Sequence, residues 1–185
     1  MKNLYKHISL TLKALRQKRG WSLDKAAEET GVSKAMLGQI ERQESSPTIA
    51  TLWKIASGFN TSFSSFLGDM QLDLNEPIHR PGQTQNLHPN DDKIKVASLF
   101  PFDETLNCEI FKIDLLPGCE HLSPPHQAGV IEHVIVVDGE MEVLLNNKWQ
   151  SLCKGEGLRF NANQAHGYRN TTTKIASFHD IIHYS

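Results

Sequence analysis

The chain has 185 residues, 39% of them hydrophobic, and a formal charge of −2 from 19 Lys and Arg against 21 Asp and Glu. This is the make-up of ordinary globular domains, with length for one large or two modest ones. No apolar run approaches a membrane span and no signal-peptide pattern opens the chain, so the expectation is a cytoplasmic protein with no membrane partner. The charge is unevenly spread. Residues 1–70 carry ten Lys or Arg against six Asp or Glu, a balance of +4, and residues 71–185 carry nine against fifteen, a balance of −6. A basic head attracts phosphate whatever the base sequence, and an acidic body is repelled by it, so only the head is expected to touch nucleic acid. Cys108, Cys119 and Cys153 are odd in number and lack metal-type spacing, which points to reduced, mostly buried thiols.

In chain order, Ser22, Ser33, Thr48 and Ser62 each precede an apolar-periodic run and mark four helix starts, because a side-chain oxygen there satisfies free backbone N–H groups. Gly31 sits where the second helix must stop and the chain turn, a position that favours positive φ. Ala26 and Ala27 on one helix, with Val32, Met36, Leu37 and Ile40 on the next, allow a close crossing. Ser33, Lys34, Gln39 and Arg42 lie opposite, and such side chains suit base edges and phosphates. The plain alternative is the solvated face of an amphipathic helix.

From about Ile8 to Leu67 the chain resembles the Xre-type, lambda-repressor-like helix-turn-helix domain. The match is carried by Leu12, Leu15, Arg16, Gly20, Trp21, Ser22, Leu23, Ala27, Gly31, Val32, Ser33, Ile40, Glu41, Arg42, Pro47, Ile55 and Ala56. The resemblance implies a five-helix bundle that binds double-stranded DNA. It places Lys34, Ala35 and Gln39 at the major groove, and Ser22, Ser33 and the run Arg42, Gln43 and Glu44 at or near the backbone. Ala35 departs from the pattern, since its methyl can touch only a thymine methyl. The resemblance also pairs Arg16 with Glu41.

An acidic, weakly periodic stretch over 68–77, ending in Pro77, reads as a linker. Beyond it the pattern turns to short strands, including Cys108 to Leu115 and Val134 to Leu145. Turns are expected at Pro117 and Gly118, at Asp138 and Gly139, and at Asn146 and Asn147, with a last strand over Lys174 to Tyr184. The chain therefore divides as an α domain over 1–67, a linker over 68–77 and an all-β domain over 78–185.

Two spaced patterns mark the second domain. The first runs His126, Ala128, Glu132, Gly139; the second runs Gly155, Asn161, Asn163, His166, Asn170. Both resemble the paired motifs of a cupin, implying an antiparallel, jelly-roll-like β-barrel over 78–185. Ala128 stands where the family's second histidine would be, Asn161 and Asn163 replace a proline and a glycine, and Gly118 is two residues too far from His126. The resemblance would bring His126, Glu132 and His166 together inside the barrel, with His121 as a fourth candidate. Two imidazoles and a carboxylate can hold Zn2+ first, or Fe2+, Mn2+ or Ni2+, leaving positions open. The alternative is hydrogen-bonded barrel histidines with no metal. Val134, Phe160, Tyr168 and His179 are the expected pocket lining. His133 should point outward, and Pro124 and Pro125 read as a rim segment.

The leading reading is a homodimeric transcription regulator. Its head binds an inverted-repeat operator, and its barrel binds a small effector such as an amino acid or another metal-chelating acid. An alternative is a cupin metalloenzyme of the non-haem iron dioxygenase kind fused to a DNA-binding domain. A third is a barrel that only dimerises.

Overall fold

In the computed structural model the described residues are 2–68 and 93–184, and the side chains of residues 2 and 3 are not described. The expected linker falls almost wholly outside them. Contacts divide the chain into two compact units, Met1–Met70 and Gln71–Ser185. Among the described residues no helix is long and apolar enough to cross a membrane.

The first unit holds four α-helices: α1 (Lys2–Lys18), α2 (Leu23–Thr30), α3 (Lys34–Glu41) and α4 (Ile49–Gly58). Three start as their sequence dictates. The hydroxyl of Ser22 accepts from the Lys25 amide at 3.1 Å, that of Ser33 from Met36 at 3.3 Å, and that of Thr48 from Thr51 at 3.2 Å. Gly31 closes α2 at φ 64°, in the left-handed region. The fourth expected cap, Ser62, starts no α-helix, and the expected five-helix count becomes four α-helices and a 3-10 turn, Ser64–Phe66. The reason lies in spacing: Phe63 and Phe66 are both about fully buried, and a three-residue period puts them on one face. Ser65 also turns its hydroxyl onto the Ser62 carbonyl at 2.7 Å. Leu12, Leu37, Ile40, Leu52, Ile55 and Phe59 fill the core, with Trp53 stacked on Phe63 at 4.4 Å between centroids.

Among its described residues the second unit is all antiparallel. Its strands are β1 (Ile94–Asp103), β2 (Cys108–Leu115), β3 (Cys119–Ser123), β4 (Ile131–Asp138), β5 (Glu140–Leu145), β6 (Lys148–Cys153), β7 (Gly157–Asn161), β8 (His166–Asn170) and β9 (Ala176–His183). They form a five-stranded sheet, β1-β2-β9-β4-β7, and a four-stranded sheet, β3-β8-β5-β6. The expected closed barrel is thus corrected to two facing sheets: among the described residues no ladder joins their edges. Alternation along β4 and β9 buries Val134, Val136, Phe178 and Ile182 on one face, and the Tyr168 ring from β8 meets Phe178 at 5.2 Å, so the core lies between the sheets. Asn146 and Asn147, at φ 51° and 59°, make the two-residue hairpin between β5 and β6. Gly139 turns β4 into β5 at φ 76°, where a Cβ would meet the Ile175 carbonyl at 2.7 Å.

Candidate functional site

On the first unit, all seven expected DNA-facing residues are exposed: Ser22, Ser33, Lys34, Ala35, Gln39, Arg42 and Gln43. Val32, Leu37, Gly38 and Ile40 are buried, so the polar face of α3 is turned outward by its packed one. The Ser22 and Ser33 hydroxyls are occupied in capping. Lys34 Nζ lies 2.8 Å from Asp24 Oδ2, and Arg42 forms a fork on Glu44 at 2.9 and 2.7 Å. Gln43, just past α3, is held at φ 61°. Behind this face Arg16 clasps Glu41 at 2.6 and 2.8 Å and donates to the Trp21 carbonyl at 3.0 Å, tying α1 to the end of α3 and to the turn before α2. The carboxylate raises the Arg16 pKa further, against burial.

The second unit brings His126, Glu132 and His166 together, with ligand atoms all within 4.8 Å of one another. His126 comes from the irregular segment between β3 and β4, whose place is held by its own amide on the Ala162 carbonyl at 2.8 Å. Glu132 is the second residue of β4 and His166 the first of β8, from opposite sheets. His126 Nε2 lies 2.8 Å from Glu132 Oε1, and His166 Nε2 lies 3.5 Å from the same oxygen. Tyr168 donates its hydroxyl to the other oxygen, Oε2. His166 Nδ1 is 2.9 Å from the Gln164 carbonyl, so that nitrogen carries the proton and Nε2 turns a lone pair toward Glu132.

Electrostatics follows from this packing. Burial works against the charge of Glu132, but the hydrogen bond from His126, the two imidazoles and Tyr168 outweigh it and hold the carboxyl below its ordinary value. Burial lowers His166 despite the carboxylate, which favours the neutral ring that a ligand nitrogen must be. Burial, with Glu132 and Asp180, pushes the Tyr168 phenol well above its usual range. The donor set is compatible with a divalent ion: edges near these N–O separations, roughly 3 to 3.5 Å, go with bonds of about 2.0 to 2.2 Å.

Other expected residues fall into two groups. Val134, Phe160 and Tyr168 are buried on the inner faces. His121 is half-buried on β3 and lies outside the group of converging ligand atoms. His179 is corrected: it alternates with buried Phe178 and Asp180, so it points to the outer face, opposite Lys112 and Ile135. His133 is also on that outer face, 5.5 Å from the His183 ring, as its strand phase implied. Ala128, at the place of the family's second histidine, is exposed. Cys119 is buried, Cys108 half-buried and Cys153 exposed.

Sequence reading missed Asp180, which burial and the charges of Glu132 and Glu109 push well above the ordinary carboxylate range. The signal was there in the two-residue period running from Phe178. It also gave no role to Asn170, whose side chain donates to the Leu115 and Lys174 carbonyls at 2.8 and 2.7 Å and accepts from Thr172 at 2.9 Å, fastening the turn into β9.

Residues 12–66 match the helix-turn-helix family model, and residues 111–182 match the cupin domain model. Over all 185 residues the chain is 49% identical to the HTH-type transcriptional regulator SutR of Escherichia coli K12, covering 98% of that protein. The chain belongs to the HTH-type transcriptional regulators. Its structure is similar to that of an HTH_3 family transcriptional regulator from Vibrio cholerae, with a TM-score of 0.83 and 44% identity, covering 98% of this chain and 97% of that one. The HTH-type transcriptional regulator PuuR of Escherichia coli K12 is 25% identical over 170 residues, 89% of this chain and 88% of that one. These relatives are named as regulators, and the chain is a DNA-binding transcription regulator with a cupin domain.

Proposed function

We propose that this regulator acts in the cytoplasm as a homodimer on an inverted-repeat operator, and that its cupin domain adjusts DNA affinity by binding a small effector at a divalent metal. The division proposed is 1–67 for the DNA-binding domain, 68–77 for the linker and 78–185 for the sensor. On DNA, Lys34, Ala35 and Gln39 would face base edges, while Ser22, Ser33, Arg42 and Gln43 meet the backbone. Two such helices must sit about 34 to 36 Å apart, one helical turn of duplex.

The single observation that carries the sensing half is the convergence of His126, Glu132 and His166, with His166 locked by Gln164 in the tautomer a ligand needs. These residues would hold Zn2+, or Fe2+, Mn2+ or Ni2+. A bound ion with open positions supplies a point of chelation for two adjacent donors on an amino acid, hydroxy acid or keto acid. Tyr168 keeps Glu132 oriented, and Val134 and Phe160 supply an apolar wall.

The test is elemental analysis and native mass spectrometry of the full chain, followed by operator binding with and without the retained compound. Stoichiometric metal lost in His166→Ala, and a ligand-dependent shift in operator affinity, are expected. Metal-free protein whose operator affinity no chelating acid alters would remove the sensing half. For the head, Lys34→Ala and Gln39→Ala should each lower the preference for operator over random DNA by about 1 to 3 kcal/mol. Equal weakening on every sequence would confine both residues to phosphate contacts.

A further inference from the structure

The inner face of the five-stranded sheet carries more polar chemistry than the metal cluster uses. Glu109 and Glu132 flank Ile182 of β9, one on β2 and one on β4, and all three side chains are buried. Two residues back along β9 stands Asp180, between Phe111 on β2 and Val134 on β4, so it is diagonal to both glutamates. Diagonal neighbours in an antiparallel pair lie about 7 to 8 Å apart at Cα. Asp180 is 4% exposed, and among the described residues its Oδ1 has no hydrogen-bond partner. Ser98 continues the same row, opposite Phe111, also buried and with its hydroxyl unpartnered among the described residues. The neighbouring carboxylates are engaged: Glu132 by His126 and Tyr168, and Glu109 by Tyr184. Among the described residues of this unit no lysine or arginine is buried. An interior with buried polar atoms to spare and no lysine or arginine of its own is complementary to a polar group brought by the ligand.

We propose that Asp180 is the docking point for an amino group on the effector, placed one diagonal step from the metal cluster that takes the effector's carboxylate. This rests on the effector reading of His126, Glu132 and His166 given above, and it narrows that reading to amino acids that reach the ion through the carboxylate alone, with the amino group on Asp180 instead of on the metal. Hydroxy and keto acids of the same skeleton offer the same carboxylate but no ammonium. On binding, Asp180 gives up the proton that burial keeps on it in the free protein, and the carboxylate then makes a charge-assisted contact with the ammonium inside a water-poor interior; Phe111 and Val134 on either side restrict the group to a small one.

The test uses zinc-loaded full-length protein and isothermal titration with matched triplets: alanine, lactate and pyruvate; leucine and its 2-hydroxy and 2-oxo analogues; phenylalanine, phenyllactate and phenylpyruvate. In at least one triplet the amino member should bind about tenfold or more tighter than its two partners, the margin expected of a charge-assisted hydrogen bond. Asp180→Asn should erase that margin while leaving the partners within about twofold. An amino member with no advantage, or a margin that survives Asp180→Asn, overturns the assignment of Asp180 and leaves the metal-centred reading standing. Silence from all nine compounds sinks both. Asparagine is nearly isosteric, and its fold is checked by thermal unfolding; the comparison within triplets on the native protein needs no variant.

Discussion

Asp180 sits between Phe178 and Ile182 on a buried sheet face, where ionisation is opposed by burial and by the charges of Glu132 and Glu109. Its native pKa is raised, so the folded state keeps a proton that the unfolded chain gives up near the ordinary carboxylate value, about 3.9. Its contribution to stability therefore falls as pH climbs above that value and stops falling only past the raised native one. Glu132, with its lowered value, runs the other way: its contribution is full above the ordinary glutamate value and is lost as pH drops from there through the lowered one. Asp180→Asn should make the protein more stable than the parent at pH 7 but not at pH 3, read by urea unfolding at both; an equal difference at the two would mean the native carboxyl is ionised. Asp24 belongs to the same scale. Its ion pair with Lys34 is exposed and adds little to stability, yet it sets a negative charge beside the DNA-facing side chains. Asp24→Asn should leave the melting temperature within error and tighten binding to all duplexes alike, most at low salt. A gain confined to one sequence would mean that Asp24 reads bases.

Helices α2 and α4 approach at Gly58, where a Cβ would lie 2.6 Å from the Glu29 carbonyl oxygen and from Thr30 Cα. Backbone on both sides cannot yield as a flexible side chain would, so Gly58→Ala should destabilise the first unit by about 1 to 3 kcal/mol. Urea unfolding followed by tryptophan fluorescence reads this through Trp21 and Trp53; an unshifted midpoint would show that the helices part without loss. The link between α1 and α3 depends on Arg16 and Glu41, which are mostly buried. Glu41→Gln keeps the shape but leaves the guanidinium without its charge partner, and about 1.5 to 3 kcal/mol should go with it. No change in melting would mean that water takes over the contact. Each of these elements is short, eight to ten residues in α2, α3 and α4, so their stability comes from this packing and not from propensity.

At the scale of the molecule, the proposed function divides the labour between a basic first unit, which would contact DNA, and an acidic second one, which would bind the effector. Excess Zn2+ should raise the melting temperature of the full chain by mass action on the native state, and His166→Ala should abolish the rise. An equal rise in both proteins would place the ion elsewhere. The two-sheet arrangement also explains why His126, Glu132 and His166 converge although 40 residues of chain separate the first from the last: β4 and β8 belong to opposite sheets, and the Ala162 carbonyl holds the His126 segment over their ends.

Local chemistry was enough for much of this. Ser22, Ser33 and Thr48 cap because a hydroxyl reaches its own helix start, and Asn146 and Asn147 turn because both tolerate positive φ; the three cluster residues were named in advance by the resemblance to the cupin motifs. Ser62, His179, Asp180, Gly58 and the closure of the sheets were decided elsewhere. Whether Ser62 begins a helix depends on where Phe63 and Phe66 find a core, and a one-residue difference in strand phase exchanges His179 for Asp180 on the inner face. Which strands pair, and so which edges meet, is set by contacts between residues far apart along the chain, and no window of neighbouring residues contains them.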